Sequence, residues 1–210
     1  MIRIQQQGNA VSIFLRADII NQSQRAFDLI TLQRNIDTQL TKVYHNSYGR
    51  YSIDIKTEFR IIKHESQCST HRLLFQIVDS IPGNNPAEAD FKGLRIKLNK
   101  NNVTDIIAGK NFRTIPHELG HLLGLDHPHA RAVFESVNKE AHSLEQQLSE
   151  EERQHNLMSQ TWYIQKANID LRNALQLAEK QIEVILDYYK NNQLNKNRHL
   201  KHFLFWKRIV

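Results

Sequence analysis

"RTIPHELGHLLGLDHPH", residues 113–129, holds four of the chain's eleven histidines. Their spacing decides how the stretch must fold. His117 and His121 are four residues apart. A helix turns about 100° per residue, so these two imidazoles differ by about 40° and stand one turn apart, within reach of one ion. Glu118 lies beside the pair but offset from it, placed to reach a water on a metal without being a ligand. Leu119, Leu122, Leu123 and Leu125 give the helix a buried face. A helix continued to His127 would carry that residue about 240° round from His121, to the wrong side. Gly124 removes the difficulty: it can take a positive φ, end the helix and turn the chain back. His127 can then complete a three-histidine site that leaves one coordination position open, as catalytic zinc requires. Pro116 is tolerated only in a first helical turn, so the helix is expected to begin near Thr114, which can serve as its N-cap. A pair of histidines at this spacing is often a surface coincidence; five residues falling into one pattern argue against that here.

Working outward, the first half reads as strand, helix, then several strands. "VSIFLR" (11–16) is a short strand. Phe27, Ile30, Leu32, Ile36, Leu40 and Val43 follow near helical spacing, with Asn21 or Ser23 as candidate cap. "YSIDIKTEFRII" (51–62) alternates as a half-buried strand. "RLLFQIVDS" and "GLRIKLN" (93–99) are further strands, and "PGNNP" (82–86) is a turn. After the histidine stretch, 131–155 is charged and helical in composition. Residues 161–189 predict one long helix with Ile164, Leu171, Leu175, Ala178, Ile182, Ile185 and Tyr189 on a stripe. The fold class is therefore α+β, a mixed sheet with a covering helix.

Composition sets limits on partners. The net charge of +6 resides entirely in the six basic residues after Asp187: Lys190, Lys196, Arg198, Lys201, Lys207 and Arg208. Residues 1–187 balance to zero, so no nucleic-acid partner is expected. The tail from 191 to 210 mixes these charges with Phe203, Phe205 and Trp206. It either docks its aromatic residues on the core or touches an anionic membrane. Cys68 is the single cysteine, so no internal disulfide forms, and an inert thiol is the simpler expectation. No signal peptide is read at the start, and no stretch is long and apolar enough to span a bilayer.

The extended pattern His117, Glu118, His121, Gly124 and His127 resembles that of metzincin zinc metalloendopeptidases, HExxHxxGxxH followed by a methionine-containing turn. "HNLMSQ" supplies the second part, placing Met158 thirty-one residues after His127. The resemblance implies a two-lobed catalytic domain spanning 1–210. A twisted mixed sheet, a backing helix and the active-site helix form an upper lobe (about 1–124). A helical lower lobe (about 125–190) lies below the cleft, followed by the 191–210 tail. It implies one catalytic Zn2+ on His117, His121 and His127, Glu118 as general base, and Met158 as an apolar floor, although ordinary core packing also explains a methionine there. It implies a protein or peptide substrate bound in extended form along an edge strand, with 93–99 the first candidate and 73–79 the second. It also implies a secreted location. Some members carry a tyrosine two residues after the methionine; here that position is Gln160, and Tyr163 is out of register. His129 competes with His127 for the third place but misses the pattern. Two other readings stay open. One is a binding module that keeps zinc without catalysis, which the intact Glu118 argues against. The other is a protease module of an effector or toxin.

Overall fold

Alternating apolar and polar residues build the sheet from its first hairpin. Ile2 and Ile4 on β1 (Ile2–Gln7) and Val11, Ile13 and Leu15 on β2 (Ala10–Asn21) are buried. Gly8, at φ 59°, opens the two-residue turn between them. The computed structural model describes residues 1–90, 94–128 and 147–194. The expected strand at 11–16 lies within the first half of a longer β2.

Beyond these come β3 (Asn46–Tyr48), β4 (Tyr51–Ile61), β5 (Leu73–Val78), β6 (Ala87–Asp90) and β7 (Arg95–Asn99). They form one seven-stranded sheet in the order β3-β4-β2-β5-β7-β6, with β1 also pairing β2. The β2–β4, β2–β5 and β5–β7 pairs are parallel, and the remaining pairs antiparallel. The sheet's edges are therefore β3 and β6; β7 and β5, the described strands within the expected 93–99 and 73–79, both lie inside the sheet. "AEAD" (87–90) alternates, but over four residues with only alanine as its apolar member, too weak a signal to announce a strand; pairing with β7 makes it one.

Helix α1 (Leu29–Tyr44) covers the sheet with Leu32, Ile36, Leu40 and Val43, all fully buried. Its cap is Asp28, which accepts from the N–H groups of Ile30 and Thr31. Asn21 and Ser23 do not cap it, because β2 continues to Asn21, whose side chain instead accepts from Ser23. Ile30, two residues before Leu32, lies about 200° round the helix and is 66% exposed. Helix α2 (Lys100–Ile107) is fastened to α1 by side-chain amides: Asn35 donates to the carbonyls of Ile106 and Ile107, and Gln39 to that of Asn111.

Helices α3 (Thr114–Leu122), α4 (Glu150–His155), α5 (Thr161–Lys166) and α6 (Glu179–Lys190) follow. The single long helix expected over 161–189 is thus two. Asn168 adopts φ 57° just after α5, and Asp170 caps a short 3-10 turn at Leu171–Asn173. Gln176 then pairs as an extended bridge with Asn156. Ala174, Leu175, Leu177 and Ala178 are buried all the same; their apolar character is satisfied by this bridge segment instead of by a helical stripe. Of the charged stretch 131–155, residues 150–155 are helical, and 131–146 lie outside the described residues, as does the tail from 195. No described helix is long and apolar enough to cross a membrane.

A small second cluster, Ile20, Ile62 and Leu74 with Cys68 against it, lies apart from the main core. Burial raises the Cys68 thiol pKa, and Asp18 adds to the effect, in keeping with an inert thiol. Asp18 is fully buried and accepts from Arg60 (2.8 Å) and Arg72 (2.7 Å). Burial alone would raise its pKa, but the two guanidinium hydrogen bonds outweigh that and hold it below the usual carboxylate value. A depressed carboxyl pKa contributes stability above its unfolded value and loses it as pH falls. Asp18→Ala is therefore expected to lower the unfolding free energy by about 3 kcal/mol at neutral pH. The gap from the parent should narrow in acid, as read by urea denaturation at several pH values.

Candidate metal centre

The site is built on α3. Asn111 Oδ1 accepts from the N–H groups of Arg113 and Thr114, so the cap function falls to Asn111 and Arg113 takes the cap position. Thr114, expected as the cap, is one residue further in. The first helical bond runs from His117 N–H to the Arg113 carbonyl, so Pro116 interrupts none. The Pro116 carbonyl also accepts from the buried Tyr44 hydroxyl at 2.9 Å, tying α3 to α1.

At the other end, Gly124 N–H donates to His121 O and Leu125 N–H to Gly120 O, both at 3.0 Å. With Gly124 at φ 103°, this is a Schellman closure. The chain turns back, Asp126 Oδ1 accepts from His127 N–H, and the third imidazole arrives beside the first two. His117 Nε2 lies 3.2 Å from His121 Nε2 and 3.3 Å from His127 Nε2. Zinc held tetrahedrally at about 2.0–2.1 Å spaces its nitrogen donors about 3.3 Å apart, so the donor set fits. Among the described residues, His117, His121 and His127 are the one group of three potential ligands within reach of a single ion. His129 lies outside those residues.

Hydrogen bonds set the protons of the first two rings. His117 Nδ1 faces the Leu157 carbonyl at 2.8 Å, and His121 Nδ1 faces the Leu125 carbonyl at 3.0 Å. A carbonyl only accepts, so each Nδ1 carries the proton and each Nε2 presents a lone pair to the site. Burial, with further contributions from His121, Arg113 and His127, holds the His117 pKa well below its ordinary value, which keeps the ring neutral, as metal binding requires.

Glu118 is buried beside this triad, with Oε2 accepting from the Ala89 N–H of β6 at 2.8 Å. Burial raises its carboxyl pKa; the neighbouring His121 and the Ala89 hydrogen bond oppose that rise without cancelling it. The pairing puts Glu118 against β6, one of the sheet's two edge strands.

Met158 is fully buried under α3. A methyl group on Gly120 would overlap its sulfur, so this glycine inside the HExxH pattern is what lets the methionine approach. The turn carrying Met158 is held by residues that the motif does not reveal. Asn156 Oδ1 accepts from Met158 N–H, and the Asn156 and Gln181 side-chain amides exchange hydrogen bonds at 2.8 and 3.1 Å. Arg113 reaches across from α3, donating to Ala174 O at 3.1 Å and to the carbonyls of Leu157 and Ser159. Burial lowers the Arg113 pKa to about 10, still cationic at neutral pH. The Leu157 carbonyl thus binds Arg113 and orients His117 together. Arg113→Leu is expected to cost about 3 kcal/mol, since the carbonyls of three fully buried residues lose a donor. It should also weaken any metal binding at the triad about tenfold or more, measurable by calorimetric titration. In sequence, Arg113 showed only as a basic residue before the helix.

Gln160, in place of the tyrosine that some metzincins carry, has its side-chain amide 3.4 Å from His127 Nδ1. Tyr163 turns elsewhere, donating to Glu150 at 2.8 Å. His155 faces the Glu151 carbonyl and His45 pairs with Asp54, so neither joins the triad. Compared with models of known protein families and with curated proteins, the chain matches none.

Proposed function

We propose that this chain is a zinc-dependent endopeptidase of the metzincin type, with the two-lobed division falling at Gly124. The observation that carries the reading is the convergence of His117, His121 and His127 at donor spacing, with a buried carboxylate, Glu118, alongside. A purely structural zinc site has no use for a buried base beside it. Zinc on the three imidazoles supplies Lewis acidity, lowering the pKa of a water toward about 7 and polarising the scissile carbonyl.

Glu118 takes the proton of the attacking water and passes it to the leaving amine. Its pKa, raised by burial, moves toward the range where one group can both accept and return a proton. The Ala89 N–H holds one carboxylate oxygen, which fixes the direction of the other. An extended peptide lies along β6, the strand that carries Ala89, and pairs with its open edge. Cys68 and the Asp18 cluster take no part. A location outside the cell is part of the same proposal. The test is cleavage of a reduced, unfolded protein by the purified chain. Activity is expected to vanish with a zinc chelator and return on adding zinc; cleavage indifferent to the chelator overturns the proposal.

A further inference from the structure

A cleft of about 440 Å3 opens between the end of α1, the edge strand β3 and the chain on either side of the methionine turn. None of its lining residues belongs to the histidine triad. Lys42 comes from the last turn of α1, Asn46 from β3 and His155 from the end of α4; Arg172, Asn173 and Gln176 come from the segment after α5. Among the described residues, no aspartate or glutamate lines it. Backbone bonds fix one wall: Gln176 N–H donates to the His155 carbonyl at 3.2 Å, and Leu157 N–H donates to the Gln176 carbonyl at 2.7 Å. The cleft is therefore formed before any ligand arrives, and its volume is that of a small-molecule site.

Its polar groups are chiefly donors. Lys42 Nζ stands 5.3 Å from the centre of the Phe112 ring and has no carboxylate partner among the described residues. Asp170 engages Arg172 through Nε and Nη2, which holds the guanidinium in place and leaves Nη1. Asn46 Oδ1 accepts from Ser47 N–H at 2.8 Å, so its NH2 end is the donor. The side-chain amides of Asn173 and Gln176 make no hydrogen bond among the described residues. His155 differs: Nδ1 faces the Glu151 carbonyl at 3.0 Å and carries the proton, so Nε2 of the neutral ring accepts. Two cations and several amide donors with no carboxylate between them suit an oxyanion, which only accepts. The histidine acceptor suits a hydroxyl. Leu175 and Tyr48 complete the lining with an apolar wall, and a bare ion would leave that wall uncovered. We propose that this cleft binds a small hydroxylated phosphate ester, with the phosphoryl group on Lys42 and Arg172 and a hydroxyl on His155. The site stands whether or not the triad holds a metal.

The experiment is a titration of the full chain with glucose 6-phosphate at constant ionic strength, followed by protein NMR, with inorganic phosphate and glucose as comparison probes. Glucose 6-phosphate is expected to give saturable shifts at Asn46, Asn173 and Gln176, inorganic phosphate the same shifts with weaker binding, and glucose none. Lys42→Glu should weaken binding of glucose 6-phosphate about tenfold or more, as the loss of a hydrogen bond to a charged group, and Asn173→Ala about fivefold, as the loss of a neutral one. Lys63→Glu makes the same change of charge at an exposed lysine outside the cleft, and should bind like the parent. Glucose binding as tightly as its phosphate ester overturns the anion reading. Shifts at the three triad histidines in place of the cleft, or equal weakening by Lys42→Glu and Lys63→Glu, overturn the site.

Discussion

Glu118→Gln is expected to keep its zinc and lose peptide turnover by about 1,000-fold or more, the upper part of the range for a removed general acid–base group. The substitution keeps shape and one acceptor, so the amide oxygen can still receive the Ala89 N–H and β6 stays in place. What disappears is a group able to hold the proton between water and leaving amine. The three imidazoles converge without help from Glu118, so metal content, read by atomic absorption on the dialysed protein, should match the parent. A variant that is inert because it has also lost its metal would remove the division of roles between ligands and base.

Gly124→Ala carries the second large effect. The backbone at Gly124 stands at φ 103°, where a side chain is strained whatever the space around it, and an added Cβ would lie 2.9 Å from the Tyr188 ring. Strain and overpacking together should cost about 3 kcal/mol. The stability loss is accompanied by a functional one. The Schellman bonds at Gly124 and Leu125 return the chain so that His127 meets His117 and His121; relaxing the bend moves one of three ligands. Thermal unfolding and a zinc titration on the same sample check both parts. An alanine variant that unfolds earlier yet binds zinc with parental affinity would show that something other than this bend positions His127.

The triad was legible because its geometry is local. The His117–His121 relation follows from helical rotation, and the return of His127 from the one residue type that tolerates φ 103°. Eleven residues, 117–127, contain the whole argument. The supports of the triad are not local. Arg113 reaches carbonyls 44 and 61 residues away, and Gln181 pairs with Asn156 across 25. In sequence these are an ordinary arginine and two ordinary amides; only the folded chain gives them buried partners. Gly120 is similar, since its need for no side chain comes from Met158, a residue beyond the turn.

Elements followed the same division. The strongly alternating β4 and the apolar stripe of α1 were readable, because one buried face imposes a period on the residues. The weak strand β6 and the break between α5 and α6 were not. β6 is short, its inward face is only Ala87 and Ala89, and it exists through its ladder with β7. The expected long helix keeps an apolar stripe, but the backbone of Gln176, opposite Asn156, bonds to His155 and Leu157 instead of its own neighbours.

By itself, then, the sequence determined the α+β class, the helix bearing two histidines and the glycine that returns the third, since each depends on rotation per residue and on φ preference within a short span. Tertiary structure decided which strand borders the site and which arginine and amides hold the methionine turn. Those outcomes depend on hydrogen-bond partners brought together from distant parts of the chain, and no local preference specifies them.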